Sequence, residues 1–174
     1  MNNYYHSIRA VKLSSALALL AGALFIGSGA TASAADQVGG PRHVEAEMLD
    51  GGGSYSLAAR DAGITLISVW SPDSLSSRKS IGELERFAGA YASRGVYTLA
   101  ASTLDDKDAL RAFVAKRKLT VPVAVLGKHD LGKQDDLRLP LVYVFDAKGQ
   151  LRATHAGLFS LRVLEGMVVP LLAP

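Results

Sequence analysis

The stretch from Ile64 to Leu84 constrains the chain more than any other. An apolar run rich in β-branched residues, ITLISVW, passes directly into the polar segment Ser71-Pro72-Asp73-Ser74 and then into a helical pattern. Ile81, Leu84, Phe87, Ala88 and Tyr91 recur at three- and four-residue spacing, which predicts a helix with one buried face. A buried strand therefore delivers the backbone straight to a helix N-terminus, where unpaired N–H groups and the positive end of the helix dipole concentrate. Ser74 and Ser77, three residues apart, occupy that position.

The remaining elements fall into place around it. His43 to Leu49 and Ser54 to Leu57 read as short extended pieces joined by the turn Asp50-Gly51-Gly52-Gly53. Gly95 stops the central helix, and Val96 to Ser102 (VYTLAAS) reads as a second buried strand. Asp105 with Asp108 opens a helix whose apolar residues are Ala109, Leu110, Phe113 and Val114, and Lys116-Arg117-Lys118 ends it. Leu119 to Leu126 reads as extended, with Pro122 near its start, and Gly127 to Arg138 as a polar loop with a helical turn. Leu141 to Asp146 and Gln150 to His155 form a hairpin about Ala147-Lys148-Gly149. Ser160 caps a last helix with Leu161, Leu164, Val168 and Leu171 as its buried stripe. This order predicts an α/β fold, a three-layer sandwich in which helices cover both faces of a mixed central sheet.

The central stretch resembles a known family. Val69, Trp70, Arg78, Glu83 and Leu84 are similar to the strand–Cys-x-x-Cys-Arg–helix motif of the periplasmic thioredoxin-like disulfide reductases of the TlpA and ResA type. Ser74 and Ser77 stand where that motif has its two cysteines, and Asp73 where it usually has a second Trp. Arg138-Leu139-Pro140-Leu141 resembles the family's second motif, a proline loop just before the hairpin. The resemblance implies a thioredoxin-like fold over His43 to Val169. It also implies a cis bond before Pro140, and at Leu139 a backbone that pairs with an extended substrate. The activity it implies is thiol–disulfide oxidoreduction.

That activity does not transfer. The chain contains no cysteine, and exchange requires a thiolate attacking sulfur. A hydroxyl neither ionises near neutrality nor forms a redox-active bond to its partner. Serine as an acyl-transfer nucleophile needs a base and an oxyanion site, yet there is no Gly-x-Ser-x-Gly elbow, and His43, His129 and His155 lie far off in sequence. Soft metal ligands are missing as well. His129 and Asp130 with Asp135 and Asp136 read as a solvated loop, so neither metal nor cofactor is expected.

Arg9 and Lys12, an apolar run from Leu13 to Gly27 and the small residues Ala32-Ser33-Ala34 predict a signal peptide over residues 1–34. A linker over 35–42 and a thioredoxin-like domain over 43–174 follow. Cleavage removes two basic residues and no acidic ones, which leaves a mature charge of +1 and argues against nucleic acid as a partner. The expectation is a redox-inactive periplasmic module for protein binding or scaffolding. Its groove is formed by Trp70, Asp73, Ser74, Ser77, Leu139 and Pro140, and it takes an extended peptide or periplasmic protein by strand addition. Membrane contact arises only through an uncleaved signal segment. The alternative is a TlpA-type oxidoreductase whose catalytic cysteines were substituted by serine.

Overall fold

Strand β3 (Ile64–Trp70) is buried along its whole length and lies in the interior of a seven-stranded sheet. The computed structural model describes residues 42–59, 63–132 and 138–172, all within the unit Thr31–Pro174. The signal segment and all but the last residue of the predicted linker lie outside the described residues. The other strands are β1 (Val44–Met48), β2 (Ser54–Ser56), β4 (Val96–Ser102), β5 (Val123–His129), β6 (Leu141–Phe145) and β7 (Leu151–Ala156). Their order is β2-β1-β5-β4-β3-β6-β7. Pairing is parallel for β3 with β4 and for β4 with β5, and antiparallel elsewhere. The sheet is therefore mixed. With its flanking helices it has the thioredoxin-like arrangement.

Helices α1 (Leu75–Tyr91), α2 (Lys107–Arg117) and α3 (Leu161–Val168) connect or follow these strands. The predicted stripe on α1 is the buried one, with Leu84 and Phe87 fully enclosed. Burial of a side chain of that size is worth about 1.5–3 kcal/mol. A short 3-10 turn continues α1, and Gly95 closes it in the left-handed conformation at φ 79°. Gly63, at φ 98°, has no room for a side chain. A Cβ there would lie 2.5 Å from the Gly95 carbonyl oxygen, at the point where β3 and β4 begin side by side.

Four local readings are corrected. Helix α2 is capped by Asp106, not Asp105, because the Asp106 carboxylate accepts the amides of Asp108 and Ala109 at 3.1 and 3.0 Å. Ala109 is exposed, and only Leu110 of the predicted α2 face is fully buried. Strand β5 extends through Gly127 to His129 rather than ending at Leu126, since β1 pairs with it as far as Val44–His129. Ser160 holds the extended N-cap position of α3 without a side-chain bond. The amide of Leu161 instead reaches the Glu83 carboxylate of α1 at 3.0 Å.

The sheet carries one apolar cluster on each face. All three helices contribute to the first, with Leu66, Trp70, Val142 and Val144 from the strands. The second draws on Ile67, Val69, Leu99 and Phe145. Tyr55, Leu57, Leu131 and Leu139 complete it in place of the predicted second helical layer, with no α-helix among the described residues. One reason is visible in the chain: part of the Gly127–Arg138 segment is spent on extending β5.

Candidate functional site

The backbone leaving β3 makes a tight turn whose side chains bond to its own amides. Ser71 Oγ accepts the Asp73 amide at 3.1 Å, and the Ser71 carbonyl accepts the Ser74 amide at 3.2 Å. Ser74 then takes the extended conformation of a helix cap, and its Oγ accepts the Ser77 amide at 3.3 Å. Ser77 Oγ reaches back to accept the Ser71 amide at 3.3 Å. Arg78 fixes the outer side of the turn by donating from Nη1 to the carbonyls of Pro72 (2.7 Å) and Asp73 (3.1 Å).

The proline loop meets this turn directly. Ser74 Oγ donates to the Leu139 carbonyl at 3.3 Å, and the Leu139–Pro140 bond is cis. The Gly157 amide donates to the carbonyls of both Arg138 and Pro140, which brings the segment after β7 against the same loop. Three segments distant in sequence thus meet at the proline loop.

Of the six predicted site residues, Ser74, Ser77, Leu139 and Pro140 come together here. Ser74 is half-buried, and the other three are buried. Asp73 is exposed beside them. Trp70 is not part of the surface. It is 1% exposed and packs in the helix-side cluster against Phe113, with ring centroids 5.4 Å apart, whereas Leu139 belongs to the opposite cluster. The indole Nε1 of Trp70 has no hydrogen-bond partner among the described residues.

Two residues were missed. Leu75 and Leu158 are large apolar side chains, 59% and 57% exposed. Leu75 adjoins Ser74, and Leu158 adjoins the Gly157 that holds the proline loop. Leu75 was legible, because it falls outside the buried stripe of α1. Leu158 was not, since only tertiary bonds bring it here.

Both serine oxygens are occupied as amide acceptors, and no histidine bonds to either one among the described residues. His155 Nε2 instead lies 3.1 Å from the Leu158 carbonyl. The parts of an acyl-transfer site are therefore not assembled at Ser74. Asp135 and Asp136 lie outside the described residues. His129, at the end of β5, is held below the ordinary imidazole range by burial, partly offset by the Asp130 carboxylate. Far from the serines, burial and then the Glu165 carboxylate, which accepts its hydroxyl at 3.2 Å, raise the Tyr91 phenol.

Fold and site together define a thioredoxin-fold protein without the thiols that give this fold its redox chemistry. No protein-family model matches the chain, and no curated protein sequence does. Solved structures do. A DsbF homologue from Corynebacterium diphtheriae aligns with a TM-score of 0.65 at 16% identity, covering 76% of this chain and 87% of that one. A secreted thiol-disulfide isomerase from Corynebacterium glutamicum gives 0.65 and 16%, over 75% and 83%. A thiol:disulfide interchange protein of the thioredoxin family from Chlorobium tepidum gives 0.64 and 16%, over 79% and 98%. At these identities the likeness concerns the fold, and it bears out the resemblance read from the strand–Trp–helix segment and the proline loop.

Proposed function

We propose that this chain is an exported, redox-inactive thioredoxin-fold protein that binds an extended segment of a protein partner across the Ser74–Leu139 contact. The observation that carries the reading is the pair of exposed leucines. Leu75 and Leu158 each stand one residue from a group that holds the site together, and both are exposed among the described residues. Apolar side chains of this size contribute to a docking surface what a hydroxyl cannot, namely area removed from water. The polar contacts are structural. Without a cysteine thiol, dithiol cycling is excluded, so the surface binds and does not exchange.

Export is part of the same proposal. It rests on the predicted signal segment and on the secreted character named for similar structures such as the Corynebacterium glutamicum isomerase.

Selection from a displayed library of random heptapeptides tests the binding reading. Purified protein is expected to enrich peptides with apolar side chains, and the Leu75→Ser/Leu158→Ser variant to lose them while keeping its thermal midpoint. If folded wild type enriches no peptide, the reading is wrong.

A further inference from the structure

Beside the serine turn, α1 and α2 leave a cleft of about 470 Å³ between them. Ala109, Phe113, Lys116 and Arg117 line it from α2, at spacings that put them on one helical face. Asp73 and Arg78 line it from the other side. Three cations thus share one small space with a single carboxylate. None of the three is in an ion pair among the described residues, and the Asp73 carboxylate bridges to none of them.

Two of these cations are positioned rather than loose. Arg78 Nη1 is held by the carbonyls of Pro72 and Asp73, which fixes the planar guanidinium and leaves Nη2 without a protein acceptor among the described residues. The Arg117 guanidinium lies over the Phe113 ring, 5.6 Å from its centroid. Fixed guanidiniums beside an apolar wall suit a carboxylate, because planar forks match its two oxygens. The N-terminus of α1 adds partial positive charge on the same side. Three like charges set against one carboxylate leave an excess of positive charge, and a further anion entering the cleft relieves the repulsion among them.

We infer that this cleft is a carboxylate subsite of the partner-binding surface and takes an Asp or Glu side chain of the bound peptide. The inference rests on the peptide-binding reading above. Asp73 connects the two regions: it lines the cleft, and its Cα is one peptide unit, ~3.8 Å, from that of Ser74. A peptide lying across Ser74 and Leu75 therefore passes the mouth of the cleft within a residue or two.

The same heptapeptide selection tests it, run on wild type and on Lys116→Gln/Arg117→Gln, two exposed positions outside the core. A selected peptide and its Glu→Gln counterpart are then compared by calorimetry on both proteins, alongside a titration with free succinate. Wild type is expected to enrich Asp or Glu beside the apolar positions. The Glu→Gln change should weaken its binding by up to about fivefold, the range for partly exposed charge pairs, with little effect on the variant. Peptides selected without acidic preference, or an equal Glu→Gln loss in both proteins, would overturn the subsite and leave the binding reading standing. Succinate binding without any peptide selection would overturn both, and would make the cleft a site for a small free anion.

Discussion

Ser74 Oγ accepts the Ser77 amide and donates to the Leu139 carbonyl, both at 3.3 Å, so one hydroxyl joins the start of α1 to the loop before β6. Loss of an N-cap oxygen costs ~1 kcal/mol, and loss of a second, part-buried bond adds up to about the same again. Ser74→Ala should therefore lower the unfolding free energy by about 1–2 kcal/mol in urea denaturation. Ser74→Thr keeps the oxygen and should stay near wild type. An unchanged midpoint for Ser74→Ala would mean that the hydroxyl carries neither bond in solution.

A different residue starts α3. The Glu83 carboxylate accepts the Leu161 amide at 3.0 Å, while Ser160 makes no side-chain cap. Glu83 also pairs with Arg86 on its own helix. Glu83→Ala should destabilise by about 1 kcal/mol, the worth of a charge-assisted cap that is partly solvated. Ser160→Ala should stay within about 0.5 kcal/mol, as surface substitutions without a partner do. The reverse order in thermal melts would restore the cap to Ser160.

These two sites show what was legible in the sequence. Strands β3 and β4 were read to the residue, because an unbroken apolar run has a sharp edge where the polar turn begins. The cap at Ser74 was legible for the same reason, since its partner Ser77 is three residues away. Glu83 was seen only as part of a family motif. Its work on α3 spans 78 residues, and no local pattern reports such a contact. Trp70 was misplaced in the groove because a strand's last residue can face either side of a sheet, and only the assembled α2 with Phe113 decides which. The end of β5 was missed because Gly127, Lys128 and His129 are not strand formers. Their pairing is imposed by β1.

The end of β5 also predicts a pH dependence. Burial depresses His129 below its ordinary 6.5, and its Nδ1 is buried without a hydrogen-bond partner among the described residues. Protonation is thus easier in the unfolded chain. The stability associated with neutral His129 is complete above about pH 6.5, and it is lost as pH falls through that value toward the depressed one. Wild type should lose more stability than His129→Gln between pH 7.5 and 5. The two proteins differ at this one side chain, so the difference in slope isolates His129. Parallel slopes in urea titrations would show that the folded imidazole is solvated.

The last prediction returns sulfur to the site. Ser74 Oγ sits where α1 offers an amide and the positive end of its dipole, and a thiolate in that place is stabilised by both. A Ser74→Cys thiol should therefore titrate below the usual ~8.5 and react readily with iodoacetamide, because the position is half-exposed. Ser77 is 1% exposed, so the thiol of Ser77→Cys should react slowly whatever its pKa. The two hydroxyls share the Ser77 backbone as common ground, one accepting its amide and the other borne on its side chain. Carrying both substitutions, the protein should form an internal disulfide with oxidised glutathione and, once dithiothreitol returns it to the dithiol, show the dithiothreitol-driven insulin-reductase activity that wild type, without a thiol, lacks. Equal alkylation rates for the two single variants would contradict the exposure of these positions. A double variant whose thiols never pair would show that the turn no longer holds the two side chains at bonding distance.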